Sequence, residues 1–190
     1  PSRILRPMEI VKYLIITFLV LVANSVTFVY INPLILSKGH ELSFVSLALL
    51  INGVAGVIGT SLGGVFADKI TSKRWLMISV SIFIIMMLVL NQLLAGTVIL
   101  LIGLFVWNIM QWSTNSAIQS GIIEHVEGDT SQVMSWNMSC LNAGIGFGGI
   151  VGGLVISHIN VQAITYTSAI IGLLGLIVVL TLKNIHYAKN

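Results

Sequence analysis

The sequence predicts an all-α integral membrane protein whose six spans form two inverted three-helix repeats. Three observations lead there: a composition too apolar for a water-soluble domain, six apolar stretches of spanning length, and a likeness between the first and second halves of the chain. Of the 190 residues, 56% are hydrophobic and 8% charged, where soluble domains carry roughly 25% charged residues. The mean hydropathy is +1.02. Crossing the hydrocarbon layer takes about 20 mainly apolar residues. Windows near Tyr13–Ile31, Leu42–Ala67, Trp75–Leu94, Thr97–Ile118, Val133–Ile156 and Ile164–Leu182 satisfy that. They are read as helices, because a helix satisfies its own backbone polar groups in lipid.

Span one follows Pro1-Ser2-Arg3-Ile4-Leu5-Arg6-Pro7. This short basic lead runs into a full-length span with no small-residue cleavage site, unlike a signal peptide. The chain starts at proline, which points to processing or to a piece of something longer. Span two is notched by Gly56, Gly59 and Gly63. At helical spacing these strip one face bare, so that another helix can approach closely. The run ends at Ala67-Asp68-Lys69-Ile70-Thr71-Ser72-Lys73-Arg74, a charged turn of the kind found on the cytoplasmic side. Span three starts at Trp75, which with Trp136 is expected to anchor at an interface.

Span four carries the polar stripe Trp107-Asn108, Gln111-Trp112, Asn115 and Gln119. Positions 108, 111 or 112, 115 and 119 share a helix face. Amides at membrane depth are costly unless paired or wetted, so they face protein or a water-filled cavity. Helix-to-helix hydrogen bonding is the plainer account. A cavity also explains the two tryptophans, which suit a flat apolar or aromatic compound. Asn24 of span one and Asn137 of span five complete the expected lining. Before span five, Asp129 with Gln132 three residues on suits a capping arrangement. Span five itself has Gly144, Gly148 and Gly152 at four-residue steps, a packing face that also permits sliding of one bundle on another.

Eight of the nine Lys and Arg residues fall on one side: Arg3, Arg6, Lys12, Lys69, Lys73, Arg74, Lys183 and Lys189, against Lys38 alone. Both termini are therefore expected in the cytoplasm. The loop 124–129, on the same side, has no cation. A shift of 90 residues brings Asn52, Gly56, Gly59 and Gly63 onto Asn142, Gly146, Gly149 and Gly153 and span one onto span four. Three spans are an odd number, so the second copy runs the opposite way through the membrane.

Other classes of function fit poorly. The net charge of +3 comes from cations at span ends rather than a patch, which argues against nucleic acid. The single cysteine, Cys140, excludes an internal disulfide and reads as a small packing residue. No Cys/His/carboxylate cluster indicates a metal, and no phosphate-binding loop indicates a nucleotide cofactor. Gly59-Thr60-Ser61-Leu62-Gly63 matches the G-x-S-x-G of serine hydrolases. That motif needs a strained strand-to-helix turn and a nearby base, whereas here it lies within a helix and every histidine sits in a loop or at a span end. No ionisable residue lies deep inside a span, so a proton-coupling carboxylate would have to come from elsewhere, or Asp68 or Glu124 would titrate from the edge.

Gly64-x-x-x-Asp68-Lys69 followed by Lys73-Arg74 resembles the loop signature of the major facilitator superfamily. Met134-Ser135-Trp136-Asn137 running into Asn142-Ala143-Gly144-Ile145-Gly146-Phe147-Gly148-Gly149 is similar to the eleventh span of its twelve-span drug–proton antiporters. The likeness covers the whole chain, but as six spans of twelve, the C-terminal half. It departs from the pattern around Thr71 or Ser72, where the usual glycine is replaced and a residue is added before Lys73. The resemblance implies that Asp68, Lys69, Lys73 and Arg74 bias a cytoplasmic gate, with Asp68 latching onto the N-terminal end of another helix, taken to be span five near Asp129–Val133. A local ion pair of Asp68 with Lys69 or Lys73, or a cap for span three, is the alternative.

The expectation is thus one six-span half over residues 1–190, with repeats at about 10–95 and 100–184, in the cell membrane. It would have no enzymatic activity and no cofactor, and would export a small amphipathic or aromatic compound by proton antiport. Its partners would be the bilayer, the solute, a proton and a complementary N-terminal half supplied by the same gene, a separate chain or a second copy. A non-transporting interaction subunit is the alternative, and an intramembrane serine protease a remote third.

Overall fold

The structure is a computed structural model and describes residues 2–183; Lys189, His186 and the last residue of the second repeat lie outside them. Six helices are long and apolar enough to cross a membrane: α1 (Pro7–Phe28), α3 (Leu42–Ile70), α4 (Ser72–Leu93), α5 (Val98–Glu124), α6 (Ser131–His158) and α7 (Ala163–Leu180). Between the first two of these lies a short helix, α2 (Ile31–Leu36). Pro7 opens α1, where its missing N–H costs nothing and its fixed φ suits the first turn. Pro33 sits in the first turn of α2 for the same reason. The glycines of α3 do not break it, because packing of its bare face rather than propensity holds a helix in a bundle. Its 29 residues exceed what the hydrocarbon layer needs.

The turn after α3 is strained. Thr71 has φ +86° and ψ +151°, a region that residues with a Cβ avoid. The resemblance noted in the sequence lacks its usual glycine around Thr71 or Ser72, and Thr71 is where this backbone most requires one. The Thr71 hydroxyl compensates in part by accepting from the Arg74 amide at 3.3 Å.

The spans pair in a pattern that survives exchange of the two triplets. α3 packs along α5 and α6 along α1; α1 packs on α7 and α5 on α4; α4 meets α7. Replacing each of the first three spans by its counterpart in the second three returns the same set, as an inverted repeat demands. The residue register differs by one from the shift suggested by the asparagines. A Cβ on Gly59 or Gly63 would strike the backbone of Ile109 or Ser113; a Cβ on Gly144, Gly148 or Gly152 would strike the backbone of Phe18, Val22 or Val26. The closely packed Gly59 and Gly63 therefore correspond to Gly148 and Gly152, with buried Ala55 matching Gly144. Gly146 and Gly149 face open space, and Gly56 meets only the Trp112 ring. Asn52 is buried whereas Asn142 is exposed, so the two asparagines do not play equivalent parts.

Apolar cores fill both ends of the bundle. One joins α2 to the adjoining ends of α3, α4, α5 and α7 around Leu34, Leu94, Leu100 and Ile164. The other joins α1, α4, α5 and α7 around Ile10, Leu76, Ile122 and Val179. At this second end Arg3–Ile4 pairs antiparallel with Val126–Glu127, tying the N-terminal segment to the α5–α6 loop. Tyr13 hydrogen-bonds Ser72 at 2.6 Å, and Lys12 donates to the Thr181 carbonyl at 2.9 Å. Every described cation except Lys38 belongs to segments meeting at this end, the loops predicted to be cytoplasmic.

Candidate functional site

α1, α5 and α6 surround a cavity of about 500 Å³ whose lining includes Asn24, Asn108, Gln111, Trp112 and Asn115. A second space, a groove of about 640 Å³, runs between α3 and α5 and shares Phe28, Leu49, Asn108 and Trp112 with the first. None of the residues lining either space is ionisable. The polar chemistry is carried by amides, and their partners fix what each presents.

Fully buried Trp107 donates its indole N–H to Asn24 Oδ1 at 2.8 Å. Asn108 donates through Nδ2 to Asn52 Oδ1 at 2.7 Å and to the Leu104 carbonyl at 2.8 Å. Its amide orientation is thereby settled, and so is that of Asn52, which must accept through oxygen. Both polar atoms of Gln111, the oxygen of Asn115 and the nitrogen of Asn52 are buried without a partner. Buried amides are almost always paired. Two of the unpaired amides, Gln111 and Asn115, stand on the α5 wall of the first cavity, and the third, Asn52, lies on α3 in the groove.

The remaining expected residues are placed differently. Asn137 is not among the lining residues; it is buried in the α1–α6 contact, accepting from Thr17 at 2.6 Å. Gln119 is exposed. Trp75 is not at an interface: it is buried, donates to Ser113 Oγ at 3.0 Å and stacks on Phe66 at 4.6 Å. Trp136 is exposed.

At the charged end, Asp68, Lys69 and Arg74 are exposed and Lys73 is half-buried. The one ion pair among the described residues is Lys12–Glu9 at 3.0 Å, so the local pairing of Asp68 with Lys69 or Lys73 does not form. Nor does Asp68 reach α6. That helix is met by Asp129, which accepts from the Ser131 amide at 3.0 Å and from its hydroxyl at 2.6 Å. These bonds, the hydroxyl foremost, hold the Asp129 carboxyl below the usual carboxylate range. The capping acid was legible, but its acceptor bonds reach Ser131 rather than forming a box with Gln132.

Sequence reasoning missed two buried ionisable residues. Glu9, 4% exposed, pairs with Lys12 and accepts from the Lys183 amide at 2.8 Å, clasping the start of α1 to the end of α7. His125, 1% exposed, bonds the Gly121 carbonyl through Nδ1 at 2.7 Å and leaves Nε2 unpartnered. Both flank apolar runs and look like loop residues. The signal for Glu9 was Lys12 three residues on, at salt-bridge spacing.

The family model of the Major Facilitator Superfamily matches residues 13–190. Among similar proteins, the uncharacterized MFS-type transporter YbcL of Bacillus subtilis is 27% identical over 171 residues, covering 89% of this chain and 44% of that protein. A probable sugar efflux transporter of Haemophilus influenzae is 24% identical over 177 residues, covering 93% of this chain and 44% of its own length. One from Mannheimia succiniciproducens is 27% identical over 175 residues, covering 90% and 43%. The chain thus spans less than half the length of these relatives.

Proposed function

The chain belongs to the Major Facilitator Superfamily, whose members are transporters rather than enzymes, and from that premise we propose that residues 1–190 form one six-span half of a secondary active exporter. Its repeats run from about 10 to 95 and from about 100 to 184. The transported solute is a small, uncharged amphipathic or aromatic compound, carried by alternating access. The observation that carries this reading is the unpaired Gln111 amide, 4% exposed and lining the α1–α5–α6 cavity beside Asn115 and Trp112. A wall of unsatisfied amides next to a half-exposed indole provides donors, acceptors and an apolar face for one ligand. The efflux named for the Haemophilus and Mannheimia relatives supports the direction of transport.

A complementary six-span half closes the other side of the pathway. Supporting this, α6 is the most exposed of the spans, and Gly146 and Gly149 on it face open space, where another helix can approach closely. With no ionisable residue on this half's lining, the proton-coupling group belongs to the complementary half. Asp68, Lys69, Lys73 and Arg74 then act as a cytoplasmic gate toward that half, and the gathering of cations at one end supports the reading that both termini lie in the cytoplasm of a cell-membrane protein.

Energised vesicles carrying the transporter that contains this chain test the proposal. They should move an aromatic dye or an uncharged glycoside, and collapse of the proton gradient should stop the movement. The combined substitution Asn108→Ala, Gln111→Ala and Asn115→Ala should abolish it, and unaltered transport in that variant would overturn the cavity assignment.

A further inference from the structure

The groove between α3 and α5 has a chemistry of its own. Its wall is apolar and small, from Leu49, Gly53, Gly56 and Val57, and one unsatisfied polar atom lies in it, Asn52 Nδ2. Asn52 is 6% exposed. Its oxygen is taken by Asn108, whose own Nδ2 is committed twice, so Asn52 can present only a donor. Opposite stands Trp112, 46% exposed. Its indole makes no hydrogen bond among the described residues and touches the site of Gly56, where an added Cβ would lie 3.1 Å from Nε1.

We infer that this groove is a second ligand subsite, taking a neutral, planar, apolar group that bears a single acceptor oxygen, with Asn52 as donor and Trp112 as stacking face. A buried donor without a partner is expensive, and a carbonyl or ether oxygen removes the cost with one bond. A hydroxyl-rich compound is a poorer match, because the groove offers its donors few acceptors, the Asn108 amide oxygen and the Thr60 and Ser61 hydroxyls, on a wall that is otherwise mainly apolar. A cation finds no counter-charge here. Nδ2 has no open surface in this conformation, so a ligand reaches it only when side chains of the groove wall shift, and Trp112, half-exposed and without a side-chain hydrogen bond among the described residues, is one that can. The inference goes beyond the proposed transport, since it holds whichever solute the main cavity carries.

Photolabelling of the full transporter in lipid nanodiscs tests it. Benzophenone serves as the probe, with 9-fluorenone and fluorene, a planar pair differing by one carbonyl, as competitors. Labelled peptides should map to α3 between residues 49 and 61 and to α5 around Trp112. Fluorenone should protect them at about tenfold lower concentration than fluorene, the margin of one hydrogen bond to an otherwise unpaired donor. Asn52→Ala should bring the two competitors within about twofold of each other. Gly53→Leu, where an added Cβ meets nothing within 4 Å, should fill the groove and suppress labelling without disturbing the fold, which the unfolding temperature checks. Equal protection by the two competitors, a carbonyl preference that survives Asn52→Ala, or labelling confined to lipid-facing residues would each overturn the inference. So would a groove labelled in the isolated chain but not in the full transporter, which would mean that the complementary half covers it. Failure of transport with labelling intact would instead count against the proposed function alone.

Discussion

Replacing Thr71 by glycine should stabilise the protein, although it removes a hydrogen bond. At φ +86° and ψ +151° the threonine Cβ is held in a region essentially reserved for glycine, at a cost of about 1–3 kcal/mol. Two terms oppose the gain. Glycine increases the conformational freedom of the unfolded chain by about 0.4–1 kcal/mol. Loss of the Thr71 hydroxyl, which accepts from Arg74 at the long distance of 3.3 Å, costs a few tenths, the usual penalty of glycine at a helix N-cap. The mid-values leave a stabilisation of about 1 kcal/mol, which in a chain of this size raises Tm by roughly 2–4 °C. Thermal unfolding in nanodiscs followed by tryptophan fluorescence is a suitable assay, because Trp75 packs on Phe66 close to this turn. Thr71→Ala is the control: it retains the strain and loses the hydroxyl, so it should fall below the parent. If alanine proves more stable than glycine at this position, the backbone of the turn is not strained as described.

Three further outcomes follow from the packing. Gly148→Ala places a Cβ 2.7 Å from the Val22 carbonyl oxygen and should cost about 1–3 kcal/mol by forcing α6 away from α1, read as a lower Tm. Gly146→Ala, with nothing within 4 Å, should stay within about 0.5 kcal/mol of the parent, so an equal loss at both positions would discard the packing register. Glu9→Ala removes the ion pair with Lys12 and the acceptor of the Lys183 amide. It should weaken the α1–α7 clasp by about 1.5–3 kcal/mol and speed hydrogen exchange at residues 181–183, which unchanged exchange would contradict.

The number and order of the spans were legible because hydrocarbon imposes one requirement on every residue that crosses it, whereas the helix ends beyond the apolar run were not: α1 begins at Pro7 and α5 runs on to Glu124. The window ending at Ala67 stops only three residues short of the helix end at Ile70. The polar stripe of α5 was legible for a related reason, since an amide in such a run has few places to go. Which amides would find partners was not. Asn137 and Asn24 look alike in the sequence, yet Thr17 on α1 takes the first into a helix contact while Trp107 turns the second toward the cavity. That outcome depends on side chains far away in the chain. The edge residues were obscured by the opposite problem: Glu9 and His125 sit where charges are ordinarily solvated, and only the return of α7 and the pairing of Arg3–Ile4 with Val126–Glu127 bury them.

The one-residue discrepancy in the repeat shows what a helix contact selects. Matching letters favoured the shift that superposes asparagines and the most glycines. A packed helix face is chosen instead by how closely two backbones approach, and alanine serves nearly as well as glycine where the gap is slightly wider. Counting Ala55 with Gly59 and Gly63 gives α3 a bare stripe at four-residue steps, the same spacing as Gly144, Gly148 and Gly152 on α6, and each stripe lies against the first helix of the other triplet. Asn52 is then released from any structural counterpart. It is free to differ from its symmetry mate, and the unsatisfied donor in the α3–α5 groove appears in only one of the two halves of the repeat.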